Sequence, residues 1–158
     1  MYLVDLHLKP ALSPTPVSLE TYSVLVAEDD RNMADLLAIN LVRTGHRIAG
    51  IAWDGKEAVR LALKERPDLV IMDVQMPFLD GLQAASEILS ANLIPIILTT
   101  GRFDLRTIQR AMDIQGLSYL VKPYSPNQLH VTIQLAVAQC RRLGKTIAVD
   151  ALQAPGVC

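Results

Sequence analysis

The stretch Leu69-Val70-Ile71-Met72-Asp73-Val74-Gln75-Met76-Pro77-Phe78-Leu79-Asp80-Gly81 decides the reading of this chain. Four apolar residues run without interruption into one aspartate. A short, β-branched-rich run of this kind suits a strand buried on both faces of a parallel sheet. Such a strand carries Asp73 to its carboxyl end, where open α/β sheets place their ligands. Taken alone, Asp73 is better explained as the first residue of a turn.

Working outward, the same pattern repeats on both sides. Val24-Leu25-Val26-Ala27 is a short strand ending in Glu28-Asp29-Asp30. Met33, Leu36, Leu37, Asn40 and Leu41 then recur at helical spacing until Gly45, a left-handed stop. Arg47–Ala52 is a weaker second strand. Asp54 and Glu57 form a capping box for a helix whose Val59, Ala62 and Leu63 are expected to face inward, and Pro67 ends it. After Gly81 a helix places Leu82, Ala85, Ile88 and Leu89 on its buried side. Residues 95–101 give a fourth strand, Asp104 to Gln115 a fourth helix closed by Gly116, and Ser118–Val121 a fifth strand delivering Lys122. Ser125-Pro126-Asn127-Gln128 opens the final helix with a capping serine, a first-position proline and a glutamine three residues after the cap. That helix carries two apolar stripes: Leu129, Ile133, Ala136, Val137 and Cys140, and beside them Val131, Leu135 and Ala138. Strands alternating with helices predict an α/β fold, a parallel sheet covered on both faces.

Composition narrows the function classes. The 158 residues are 51% hydrophobic and 20% charged, which fits one globular domain rather than a disordered chain. A net charge of −1 and 4% aromatic residues argue against direct nucleic-acid binding by phosphate contacts or base stacking. Cys140 and Cys158 have no metal-ligand spacing, and the N-terminus lacks the features of a signal peptide. With no run long enough for a membrane span, a cytoplasmic setting is expected. The proline-containing residues 1–21 read as a flexible leader, 22–143 as the domain and 144–158 as a short tail.

The strand ends converge on one rim: Glu28, Asp29 and Asp30 from the first, Asp73 from the third, Thr99 and Thr100 from the fourth, Lys122 from the fifth. Crowded carboxylates raise one another's pKa unless a cation compensates. Hard oxygen donors favour Mg²⁺, with Mn²⁺ as the alternative, over zinc. Lysine and hydroxyl partners suit a phosphoryl group, and carboxylates can be nucleophiles that form acyl phosphates.

Together, Glu28-Asp29, Asp73-x-x-x-Pro77, Gly81, Thr100-Gly101 and Lys122-Pro123 resemble the receiver domain of two-component response regulators. The resemblance covers roughly residues 22–143. From Pro67 to Pro123 it is most similar to receivers of antiterminator-type regulators, although no such output module is read in the tail. It implies a flavodoxin-like sheet of order 2-1-3-4-5, with Asp73 as phosphoryl acceptor. By the same resemblance Asp29 is a direct Mg²⁺ ligand, Glu28 acts mainly through bound water, and the backbone carbonyl of Gln75 completes the protein's share. Thr100, Gly101 and Lys122 are implied to bind the phosphoryl group, with Thr100 and Tyr119 as switch residues and a cis bond before Pro123. Implied partners are a sensor histidine kinase or phosphotransfer protein and a downstream protein or second copy. These would meet a surface of the fourth helix, fifth strand and fifth helix. Asp30 and Asp80 read as helix caps and Thr99 as structural. Competing readings are a pseudo-receiver that signals without phosphorylation and a metal-dependent phosphatase. Gln75, where such phosphatases carry a second acid, weighs against the latter.

Overall fold

A computed structural model describes residues 20–101, 109, 114 and 116–153, with side chains to residue 144. Most of the expected fourth helix, residues 1–19 of the leader and residues 154–158 of the tail therefore lie outside the described residues. The elements are β1 (Ser23–Ala27), α1 (Arg31–Arg43), β2 (Arg47–Ala52), α2 (Gly55–Glu65) and β3 (Leu69–Asp73). They continue with α3 (Gly81–Ala91), β4 (Ile96–Thr100), β5 (Leu117–Val121) and α4 (Pro126–Gln153). The strands form one parallel sheet of order β2-β1-β3-β4-β5. The helix α4 runs through residue 143, where the sequence reading ends the domain, to Gln153.

Strand period two divides the core. Leu25, Ala27, Val70, Met72, Ile96 and Leu98 point to one face, where Ala58 and Ala62 of α2 and Leu82, Ala85 and Ile88 of α3 cover them. Val24, Val26, Leu69, Ile71 and Ile97 point to the other, under Ala34, Leu37 and Leu41 of α1 and Leu129, Ile133, Ala136 and Val137 of α4. β3 and β4 are buried along their whole length, as uninterrupted apolar runs require. β2, at the sheet edge, is buried only at Ala52.

Helix ends follow local chemistry. Asp30 caps α1, accepting from the backbone N–H groups of Asn32 and Met33 at 2.8 and 3.2 Å. Asp54 accepts from Glu57 N at 2.8 Å, while the Glu57 carboxylate reaches past the cap to Trp53 N at 3.0 Å. Asp80 caps α3 through Gln83 N. At α4 the capping box is reciprocal: Gln128 N donates to Ser125 Oγ at 3.2 Å and Ser125 N to Gln128 Oε1 at 2.8 Å.

The apolar spacing of two helices needs correction. Leu37 and Leu41 are buried, but Met33 and Leu36 are exposed and Ala34 takes the inner position of α1. In α2, Leu63 faces solvent, whereas Leu61 packs against the core. Alanines at the contact let each helix lie close to the sheet, and this rotates the larger neighbours outward.

Candidate metal and phosphoryl site

Parallel register assembles the site. Ala27 pairs with Met72, so the next residue of each strand, Glu28 and Asp73, emerges at the same level of the sheet. Asp73 in turn pairs with Thr99, and Thr100 with Val121, which brings Lys122 to the same rim. Glu28, Asp73, Thr99 and Thr100 are all buried, while Asp29 stands exposed at the mouth. One carboxylate oxygen from each of Glu28, Asp29 and Asp73 lies within 4.8 Å of the others.

Lys122 stands among these acids. Its Nζ lies 2.7 Å from Glu28 Oε2 and 3.6 Å from Asp73 Oδ1, so the tight ion pair is with Glu28. Burial pushes the Asp73 carboxyl above the usual carboxylate range. The Glu28 charge adds to this, and Lys122 and the Gln75 backbone N–H oppose it. For Lys122, burial disfavours the ammonium, yet the hydrogen bond to Glu28 and the charge of Asp73 outweigh it and raise its pKa.

Two backbone features shape the rim. Gly81 N donates to Val74 O at 2.9 Å, and a Cβ on Gly81 would collide with the carbonyl of Asp73. Only glycine lets α3 start this close to the end of β3. The Lys122–Pro123 peptide is cis, as the resemblance implies. Lys122 N also donates to Thr100 O at 2.8 Å, which ties the lysine loop to the end of β4.

The other expected residues fall around this centre. Gln75 is exposed and Gly101 sits at the open rim with nothing near its Cβ position. Thr99 faces inward, its hydroxyl 3.4 Å from Met72 O. Tyr119 lies opposite Leu98 in β5, half-buried on the α2–α3 face. Two rim residues were not singled out from the sequence. Tyr124 is half-buried near Lys122, Glu28 and Asp73, and burial raises the pKa of its phenol. Phe78 holds a left-handed backbone (φ 66°) and is 83% exposed at the tip of the β3–α3 loop. The signal for Tyr124 was its place just after Lys122-Pro123; for Phe78 nothing in the local spacing demanded positive φ.

A cluster of oxygen donors with a lysine beside it suits a divalent cation and a phosphoryl group. Residues 24–134 match the family described as the response regulator receiver domain. The chain is 46% identical over 120 residues to the transcriptional regulatory protein PdtaR of Mycobacterium tuberculosis, covering 76% of this chain and 58% of that protein. It is 35% identical to the transcriptional regulatory protein YrkP of Bacillus subtilis, covering 77% and 50%. The chain thus spans about half the length of these relatives. Among solved structures it resembles the signal receiver domain of a modulated diguanylate cyclase from Desulfovibrio desulfuricans G20. That match has a TM-score of 0.71 and 34% identity over 77% of this chain and 98% of the other. Among the described residues, no helix is long and apolar enough to cross a membrane. By its matched sequence and its sheet order, the chain belongs to the response regulator receiver family.

Proposed function

We propose that this receiver accepts a phosphoryl group on Asp73 from the phosphohistidine of a sensor kinase or phosphotransfer protein, in the cytoplasm. The observation that carries the reading is the grouping of Glu28, Asp29 and Asp73 with Lys122 at one strand rim. Three carboxylates this close repel one another, and one ammonium leaves the set net negative, a donor set that fits Mg²⁺ or Mn²⁺. Asp29, Asp73 and the Gln75 carbonyl would hold the ion directly, with Glu28 acting mainly through water. Bound there, the ion supplies charge neutralisation for an approaching phosphoryl group.

In the step itself an Asp73 carboxylate oxygen attacks phosphorus. The P–O bond forms as the P–N bond to histidine breaks, and the imidazole nitrogen leaves with the electron pair and takes a proton. Lys122 pairs with the phosphoryl oxygens and Thr100 donates a hydrogen bond to them, with Gly101 leaving the rim open. The new charge draws Thr100 inward and Tyr119 follows. The readout surface is then β5, the outer face of α4 and the segment before β5, which meets a downstream protein or a second copy. Exposure of Val131 (55%) and Leu135 (65%) supports such a contact.

Incubation with acetyl phosphate and Mg²⁺ tests this by intact mass. Wild type is expected to gain one phosphoryl group and Asp73→Asn none. Equal gain by both refutes the assignment to Asp73, and no gain by wild type leaves a phosphorylation-independent module.

A further inference from the structure

At the opposite end of the sheet from Asp73, a second polar cluster joins β1, the α1–β2 turn and α4. His46 is 3% exposed, and its Nδ1 accepts from the backbone N–H of Tyr22 at 3.2 Å. Its ring stacks on Tyr22 (centroids 5.6 Å, 13° between planes) and on His130 of α4 (6.2 Å, 30°). The Tyr22 hydroxyl donates to Glu20 Oε2 at 2.7 Å and approaches Gln134 Oε1 of α4 at 3.4 Å. Glu20 is also paired with Arg141 of α4 at 2.7 Å. Tyr22, His46, His130, Gln134 and Arg141 therefore tie the C-terminal helix to the first residues of the sheet.

The hydrogen bond fixes the protonation state. A nitrogen that accepts carries no proton, so neutral His46 holds its proton on Nε2. An imidazolium has no acceptor: adding the second proton places an N–H against the N–H of Tyr22 and breaks the bond. His46 Nε2, His130 Nδ1 and Gln134 Nε2 are buried and have no hydrogen-bond partner among the described residues, so no acceptor compensates the new charge. We propose that His46 and His130 form a proton-sensitive clamp, closed when His46 is neutral, that fastens the C-terminal helix to β1 and opens as His46 is protonated.

The charged groups around the clamp are of both signs, and the nearby acids are already engaged elsewhere. From β1's side, Glu20 is committed to Tyr22 and Arg141. From the turn before β3, Asp68 accepts from Ser23 N at 2.7 Å. From α4 come His130 and Arg141. Arg43 at the end of α1 and Arg47 at the start of β2 are exposed cations flanking His46 in sequence. Burial lowers the His46 pKa below its ordinary value, and the neighbouring His130 lowers it further. A base with a depressed folded pKa contributes stability at high pH, which falls away as pH drops below the unfolded value of about 6.5. The outer face of the same helix, with Val131 and Leu135, is the surface assigned above to output, so acid would loosen it without any chemistry at Asp73.

The test is an NMR titration of the imidazoles in the full chain from pH 8 to 5, paired with urea unfolding across the same range. His46 is expected to titrate below about 6.5, with the Tyr22 amide resonance moving at the same midpoint. The folding constant should fall by up to about tenfold per pH unit below that value. His130→Gln should move the His46 midpoint upward. His46→Asn keeps an acceptor near the Nδ1 position and should flatten the unfolding slope between pH 6.5 and 5. A His46 midpoint at or above about 6.5, or a Tyr22 amide indifferent to it, overturns the clamp. So does an unchanged slope in His46→Asn. Should that variant not fold, the wild-type and His130→Gln titrations decide.

Discussion

Replacing Lys122 with Met removes the ammonium that stands between Glu28 and Asp73 while keeping a side chain of similar length. Its nitrogen lies 2.7 Å from Glu28 and 3.6 Å from Asp73, with the three side chains 17%, 5% and 12% exposed. At an effective dielectric of about 20 these contacts correspond to roughly 6 and 5 kcal/mol of gross attraction. Desolvation of the ammonium offsets several kcal/mol of that. Losing one partner of so buried a set leaves uncompensated carboxylates, and a net destabilisation of about 3 kcal/mol follows. For a chain of this size, that lowers the melting temperature by about 6–12 °C in metal-free buffer. The ion pair on Glu28 also competes with a divalent cation for the same oxygens. Mg²⁺ should therefore raise the melting temperature of Lys122→Met more than that of wild type. Circular dichroism melts with EDTA and with millimolar Mg²⁺ measure both effects. Equal metal-free stability, or an equal Mg²⁺ increment in the two proteins, refutes the view of Lys122 as the cation that compensates these carboxylates in metal-free buffer.

Further outcomes follow from single contacts. Gly81→Ala forces a Cβ into the Asp73 carbonyl and should cost about 3 kcal/mol in urea unfolding, with slower phosphoryl uptake. Ser125→Ala removes one half of the reciprocal cap of α4 and should cost about 1 kcal/mol by the same assay. Because burial raises the Asp73 pKa, its ionised form disfavours folding at neutral pH. Metal-free Asp73→Asn should thus melt higher than wild type at pH 7, and the gap should close as pH falls through the Asp73 pKa.

The reading of Leu69–Gly81 as a strand delivering Asp73 rests on a feature that survives without coordinates. An unbroken apolar run has both faces to bury, and β3 buries both. The buried stripe of α4 was legible for the same reason, since Leu129, Ile133, Ala136, Val137 and Cys140 repeat at helical spacing, and all five are buried. The companion stripe was ambiguous, because Val131, Leu135 and Ala138 satisfy the same periodicity one step round the helix. The structure leaves all three exposed. Met33, Leu36 and Leu63 show the same limit: periodicity identifies an amphipathic helix but not its rotation about its own axis.

The site divides likewise. The strand-end reading expected Glu28, Asp29, Asp73, Thr100 and Lys122 on one rim, because parallel strands end together. It did not reveal that Lys122 binds Glu28 more closely than Asp73, nor that Tyr124 closes on the same charges. The His46–His130 stack was invisible, since 84 positions that separate the two residues carry no local signal. Sequence by itself determined the alternation of elements and the chemistry gathered at the strand ends, both properties of local period and parallel connection. Only the tertiary structure decided which helix faces turn outward and which charges pair. Those depend on distances of a few ångströms between segments far apart in the chain.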